Sequence, residues 1–337
     1  MLRFPSLQIC LALLFCAFST PAAESTVLGR QGTRFTINGA PTFLYGLSYY
    51  GGLGASPETL AKDLESIRKF HFNWIRVWAN WSAFTNDVAA VDEEGNPREP
   101  FLAYLRTLVE TCDRLGIVVD VTLTRGTGLN GSLRLQKLPE HLRAVETLTG
   151  ALKDQRNWSL DLSNERNIRD KRFTSMADLK ILRARARQLA PALLVTASHS
   201  PDITKEELRE YLDSVKIDFI TPHRPRGADS PRQTAAQTES YLRLFQELEH
   251  PVPVLYQEPF RRGYTKGWNP KAADFVRDAE AARAGGAAGW CFHNGDQRGT
   301  ADGRPRRSFD LTQKTLFEQL DPEEWNALEQ LARSFQK

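Results

Sequence analysis

Apolar residues recur along this chain in two alternating rhythms. Short runs rich in β-branched and aromatic residues read as strands: Phe43–Ser48, Trp74–Trp78, Ile117–Leu123, Ser159–Leu162, Leu193–Ala197, Ile217–Thr221, Val252–Gln257 and Gly289–Phe292. Between them the apolar positions fall three and four apart, the helical period. Helices are predicted over 57–70, 100–115, 138–153 and 175–190, from Thr204, over 234–249 and 270–284, with a last one from about Leu311. In the fourth of these, Leu179, Leu182, Ala186 and Leu189 share one face. Start signals reinforce the pattern: Ser56 stands before Pro57, and Thr204 stands three residues before Glu207. Ahead of the first unit, Arg34–Ile37 and a run from Thr42 flank Asn38-Gly39, the signature of a two-residue hairpin turn.

Eight strand–helix units in succession predict a parallel sheet, and in a chain of 337 residues they predict a closed (β/α)8 TIM barrel of α/β class with a short N-terminal hairpin. A doubly wound open sheet would carry Gly-x-Gly-x-x-Gly after its first strand. Gly51-Gly52-Leu53-Gly54 lacks that spacing and reads as a loop.

Residues 1–23 read as a secretory signal peptide. Arg3 supplies the charged start, Leu7 to Phe18 the apolar core, and Ser19 to Ala23 the small-residue exit. That core is too short to span a membrane, which takes about 20 residues. The expectation is export, to the periplasm or outside the cell, of one barrel domain over 24–337 with no integral membrane span. Removing the leader takes Arg3 with it, so a net charge of +3 becomes +2. It also takes Cys10 and Cys16, leaving Cys112 and Cys291, which read as two inert buried thiols. With 41% apolar and 25% charged residues the chain is too ordinary for a disordered segment or a coiled coil. It has no concentrated basic stripe, so no nucleic-acid partner is expected. A monomer without cofactor or metal is expected.

Barrel enzymes carry their reactive groups at the C-terminal ends of the strands. There stand Tyr49 and Tyr50; Arg76, Trp78, Asn80 and Trp81; Thr124 and Arg125; Ser163, Asn164 and Glu165; His199; His223; Glu258; and Trp290, His293, Asn294 and Asp296. The strand period of two separates faces. Ile75 and Val77 suit the helix layer, so Arg76 points inward, where a buried charge needs a carboxylate. Asp161, Ser163 and Glu165 share the inward face of the fourth strand. The seventh strand is apolar on both faces, so parity does not orient Glu258. Two glutamates facing each other across a barrel mouth are what glycoside hydrolysis requires: one acid to protonate the leaving oxygen, one carboxylate to attack or to activate water. Arg76 near one of them would hold it ionised. Asn164 could hold a sugar hydroxyl, and Trp78, Trp81, Trp268 and Trp290 could stack on sugar rings. The candidate substrate contacts are Arg76, Asn164, His223, Trp290, Trp78 and Tyr50.

At these residues the chain resembles a clan A glycoside hydrolase, near family 5, the cellulase-like barrels. Residues 35–41 with 44–47 resemble the family's opening hairpin and first strand, and 72–78 its second strand. Asp161-Leu162-Ser163-Asn164-Glu165 resembles the Asn-Glu motif of the acid/base. Residues 253–258 resemble the nucleophile strand and 289–293 the eighth. The resemblance implies a retaining enzyme acting on a β-linked poly- or oligosaccharide, with Glu258 as nucleophile and Glu165 as acid/base. Three positions depart from the family pattern. Thr124 and Arg125 stand where a histidine is common, and Arg166 replaces the proline after Asn-Glu. Arg224 and Pro225 follow His223 where a tyrosine that bonds the nucleophile is common, and Tyr256 or Tyr264 could substitute for it.

Two rivals stand beside this reading. One is a barrel that binds glycans without cleaving them. The other is a metal-dependent hydrolase of the amidohydrolase type using His199, His223 and Asp296, although Phe43–Tyr50 holds no histidine pair. Arginines also crowd the strand-end loops: Arg166, Arg169, Arg224, Arg226, Arg261, Arg262, Arg298, Arg304, Arg306 and Arg307. They suit an acidic, uronate-bearing glycan; an arginine-rich chain with solvated loops is the plainer reading and is preferred on sequence alone.

Overall fold

A computed structural model describes residues 25–83, 86–126, 133–295 and 310–335. The candidate leader lies outside them, as do Asp296, Arg298, Arg304, Arg306 and Arg307. Seven strands form one parallel sheet: Leu44–Ser48, Trp74–Trp78, Val118–Thr122, Trp158–Asp161, Leu194–Thr196, Leu255–Tyr256 and Gly289–Phe292. Neighbours in the chain pair, except Leu194–Thr196 with Leu255–Tyr256, and the last strand returns to the first, with Trp290 opposite Tyr45. Across the gap between Leu194–Thr196 and Leu255–Tyr256, two parallel bridges, His199 to Pro222 and Ile220 to Val254, complete the ring. The chain is a (β/α)8 barrel whose sixth strand is reduced to those bridges. Prolines explain the weakness on this side. Pro222, Pro251 and Pro253 have no N–H to give a ladder, so the run expected over Val252–Gln257 pairs as a strand only at Leu255–Tyr256.

The helices are α1 (Pro57–Lys69), α2 (Phe101–Arg114), α3 (Leu138–Ala151), α4 (Met176–Leu189), α5 (Lys205–Arg209), α6 (Ser230–Glu247), α7 (Ala272–Ala284) and α8 (Pro322–Phe335). Ser56 caps α1 by accepting from the Thr59 amide, and Ser175 and Thr204 do the same for α4 and α5. The last helix starts later than Leu311. Its start is Asp321-Pro322, where Asp321 accepts from the Glu324 amide while Glu324 accepts from that of Asp321. No helix among the described residues is long and apolar enough to cross a membrane.

The N-terminal sheet has three antiparallel strands: Leu28–Gln31, Arg34–Ile37 and Ala40–Thr42. Asn38 and Gly39 turn the hairpin with φ of 52° and 80°, the left-handed pair a tight turn requires. The first of the three strands escapes sequence reading because Leu28-Gly29-Arg30-Gln31 has no apolar alternation. This sheet plugs the N-terminal end of the barrel. Leu28 and Phe35 pack with Leu44, Trp74, Val118, Leu194, Phe219 and Leu255, and Phe35 meets Phe219 edge-on at 5.2 Å. Gly46 makes room for that plug, since a Cβ there would lie 2.0 Å from Trp74 Cε3. A second, larger core fills the space between sheet and helices and contains the outward residues Ile75, Val77, Val119, Val121 and Leu160. With one end plugged, the polar interior opens at the C-terminal end of the strands.

Candidate active site

Above the apolar plug the barrel interior turns polar, and Arg76 is its hub. The side chain is fully buried. Its Nη1 donates to Glu258 Oε1 at 2.5 Å, and Nη2 donates to Asp161 Oδ2 and Asn164 Oδ1, both at 2.9 Å. Nε donates to Thr122 Oγ1 at 3.0 Å. One guanidinium thus ties the second, third, fourth and seventh strands together. Gln257, inward beside Glu258, donates to Asp120, whose carboxyl is pushed up to about 8, foremost by burial and against the pull of Arg76.

Glu165 sits just past the fourth strand on a left-handed backbone, φ 46°, which costs a non-glycine residue strain. Several contacts hold that bend. The Glu165 amide donates to Ser198 Oγ at 3.0 Å, and Asp161 Oδ1 accepts from the amides of Ser163 and Ser198. The next residue, Arg166, is locked by donating from Nε to Tyr211 Oη at 2.7 Å. Tyr211 comes from a π-helical stretch, Glu210–Val215, that continues α5.

The two glutamates meet. Glu165, His223 and Glu258 bring one ligand atom each within 4.8 Å of one another. His223 Nδ1 lies 3.3 Å from Glu165 Oε1 and 3.6 Å from Glu258 Oε2. Arg226 spans both: Nη2 donates to Glu258 Oε2 at 2.7 Å and lies 3.3 Å from Glu165 Oε1. Arg172 donates from Nη1 to Glu165 Oε2 at 2.6 Å. Such a trio of ligands could hold a cation, but guanidinium groups already take the carboxylate oxygens and would repel one.

These neighbours decide the charge of the pair. Burial alone would raise both carboxyls. The His223 hydrogen bond and the His223 and Arg226 charges outweigh burial at Glu165, against repulsion from Glu258, and hold it at about 2. At Glu258, His223, Arg76 and Arg226 outweigh burial and hold the carboxyl well below its ordinary range. Both glutamates are therefore ionised in the free protein. Tyr50 is buried above Arg76, its phenol raised by burial and by Glu258. His293, accepting or donating at Ser48 Oγ at 2.9 Å, is held well below its ordinary range, foremost by burial.

Of the six candidate contacts, Arg76, Asn164, His223 and Tyr50 converge on the glutamates. Trp78 stands beside them, its ring 5.4 Å from that of Tyr50 and 5.2 Å from that of Trp81. Trp290 does not converge. It precedes the inward Cys291 by one residue, so the strand period turns it into the helix layer. There it is fully buried, stacks with Tyr45, and donates from Nε1 to Asp278 of α7 at 2.7 Å. It cannot be a sugar platform. Of the suggested tyrosine substitutes, Tyr256 faces the helix layer and shares a hydrogen bond with Thr238 of α6, while the Tyr264 ring lies under Arg226 and Arg261. Tyr50 is the phenol beside Glu258.

Of the residues of the metal rival, His199 lies 3.3 Å from Glu207 and close to Tyr211, His223 lies between the glutamates, and Asp296 is outside the described residues. Arg125 is also used within the fold, pairing with Asp178 at 2.7 Å and donating to His141. Cys112 and Cys291 are both free and buried. Sequence reading missed Arg172 altogether and could not separate Arg226 from the other loop arginines. No motif marks either, because their role depends on how two loops fold back over the barrel mouth.

No family model matches the chain, and no curated protein matches it. Solved structures do. A family 5 glycoside hydrolase mannosidase from Rhizomucor miehei is 13% identical, with a TM-score of 0.60 over 93% of this chain and 99% of that one. An endo-1,4-beta-mannanase from the same organism is 13% identical, with a TM-score of 0.64 over 92% and 99%. A putative glycoside hydrolase from Bacteroides vulgatus is 15% identical, with a TM-score of 0.68 over 93% of this chain and 61% of that one. At such identities the likeness is one of fold: the chain has the (β/α)8 barrel fold of family 5 glycoside hydrolases.

Proposed function

We propose that this protein is a retaining glycoside hydrolase that cleaves the O-glycosidic bond of a β-linked poly- or oligosaccharide, and that residues 1–23 direct it to the periplasm or outside the cell. The observation that carries the reading is the buried pair Glu165 and Glu258, brought within 4.8 Å at the ends of the fourth and seventh strands. Retaining enzymes keep their two carboxyl groups about 5 Å apart, whereas inverting enzymes need room for a water between them.

Glu258 is the nucleophile. Arg76 and Arg226 keep it ionised, and its attack on the anomeric carbon breaks the bond to the leaving oxygen. Glu165, once protonated, gives its proton to that oxygen. In the second half, Glu165 as carboxylate takes a proton from water, and that water's oxygen displaces Glu258. The free protein holds Glu165 ionised, so substrate must first weaken the hold of His223, Arg226 and Arg172 on it. Asn164 and His223 then hold sugar hydroxyls, and Trp78 and Tyr50 offer ring faces. The same ionised pair favours the rival of a barrel that binds glycans and does not cleave them.

A polysaccharide and oligosaccharide panel separates the two. The wild type is expected to cleave at least one β-linked glycan with the product's anomeric configuration retained, as read by proton NMR in the first minutes. Glu258→Gln and Glu165→Gln should each lower that turnover by about 100-fold or more. Turnover untouched by either change, or binding with no cleavage of any glycan, defeats the hydrolase reading.

A further inference from the structure

Three guanidinium groups gather around the glutamate pair, in addition to Arg76 beneath it. Arg226 comes from the loop after the sixth barrel position, Arg261 from the loop after the seventh strand, and Arg172 from the loop after Glu165. Arg226 and Arg261 both lie over the Tyr264 ring, at 4.9 and 4.8 Å from its centroid. Like charges so close repel, and Arg226, after burial, is what lowers the Arg261 guanidinium below its ordinary range. Arg226 reaches Glu258 and Glu165 through one nitrogen, Nη2. Neither contact is the two-bond fork that guanidinium makes with a matched carboxylate. Arg172 differs: its fork, Nε and Nη2, is already taken by Asp170, and Nη1 alone reaches Glu165.

The arrangement suits a carboxylate that is not part of the chain. The groups around Glu165 are His223, Arg226 and Arg172 on one side and the like charge of Glu258 on the other. The hydroxyls of a neutral sugar can hydrogen-bond to these arginines but cannot neutralise them, so the arginines keep their hold on Glu165. An anion seated in the fork of Arg226 replaces Glu165 there. Glu165 keeps His223 and Arg172 but has lost one cation and gained an anion as neighbour, and both changes raise its carboxyl and favour uptake of the proton that the reaction needs.

We propose that the substrate of this site is an anionic glycan with a carboxylate on a sugar beside the scissile bond, and that Arg226, flanked by Arg261 and Arg172, is the residue that selects it. The inference rests on the glycosidase reading and names its substrate class.

The test compares β-linked oligosaccharides containing a uronate with the same oligosaccharides after reduction of the carboxyl to the alcohol. Both kcat/KM and, by calorimetry, binding are measured. For the wild type, kcat/KM should favour the acidic form by about 100-fold, and binding should favour it in the same sense. Arg226→Gln should shrink that ratio to about tenfold or less by losing the acidic substrate, and Arg226→Lys should restore only part of it. Arg172→Gln serves as the second variant should Arg226→Gln fail to fold by circular dichroism. Equal turnover of acidic and reduced forms by the wild type overturns the proposal while leaving the glycosidase reading intact. An unchanged ratio in a folded Arg226→Gln protein also overturns it. If no glycan is cleaved the hydrolase reading fails, and binding decides the inference alone: a preference for the acidic form that Arg226→Gln abolishes upholds it, and equal binding of the two forms ends it.

Discussion

Replacing Arg76 by Met tests whether the polar interior is organised by one buried charge. The guanidinium donates to Glu258, Asp161, Asn164 and Thr122 and is wholly out of solvent. Met fills much of its volume but leaves Glu258, Asp161 and Asp120, three buried carboxyls, without their central cation. Asp161 keeps the Ser163 and Ser198 amides, and Glu258 keeps Arg226. Removing one partner of a buried ion pair costs about 3–5 kcal/mol, and that cost is not recovered by the methyl groups gained. At roughly 2 °C per kcal/mol for a chain of this size, Tm should fall by about 6–10 °C at pH 7. The pH dependence carries the sharper check. In the wild type, Glu258 is held below its unfolded value, so its pairing contributes in full above the unfolded carboxylate range and is lost as pH falls through the folded value. Glu165 behaves alike, and its contribution fades between about 4 and about 2. Without Arg76, burial weighs more heavily on Glu258, and its carboxyl protonates more readily. The deficit of the variant should therefore be largest at pH 7 and shrink as pH falls toward about 4.5. Calorimetric melts of both proteins at the two pH values measure it. A Tm loss under about 2 °C at pH 7, or a deficit equal at both pH values, refutes the account.

Trp290→Phe should lower stability by about 1–3 kcal/mol, because it leaves the Oδ2 of the buried Asp278 carboxyl without its donor while Thr234 still serves Oδ1, and should leave kcat/KM on any cleaved glycan within about twofold. A loss of activity without a loss of Tm would return Trp290 to the sugar site. Gly46→Ala puts a methyl group against the Trp74 ring and backbone, so the variant should lose more than about 3 kcal/mol or fail to accumulate as folded protein, as read by urea titration. Cys112 and Cys291 are free, buried and raised well above the ordinary thiol range by burial. An aromatic disulfide reagent should label neither in the native protein at pH 8 and both in urea; prompt native labelling would contradict their burial.

Much of this architecture is written in the order of residues. The strand cores at 74–78 and 289–292 and the helix starting at Pro57 follow from periodicity and capping chemistry, which act over a few residues. Parity along Trp74-Ile75-Arg76-Val77-Trp78 puts the arginine inside, because the alternative buries charge among helices. The same rule, applied to Gly289-Trp290-Cys291, turns Trp290 outward; a count of aromatic residues at strand ends overlooks it. The eight-unit rhythm sets the barrel, and the positions of Asn164 and Glu165 past one strand and Glu258 past another place them at its mouth.

Only the folded chain decides what those glutamates face. Arg172 and Arg226 lie 7 and 61 positions beyond Glu165 in sequence, and they reach it because two loops fold back across the opening. Loop paths are fixed by contacts such as Arg166 with Tyr211 and Thr265 with the Arg226 carbonyl, which no local pattern announces. The left-handed turn at Glu165 has the same origin: a strained backbone persists where its surroundings over-determine it. By itself the sequence determined a barrel with two carboxylates at its open end and a buried arginine between the strands. The tertiary structure decided that three more arginines surround the pair, and that His223, Arg76 and Arg226 together hold its carboxyls low, because charge depends on distance in space and not along the chain.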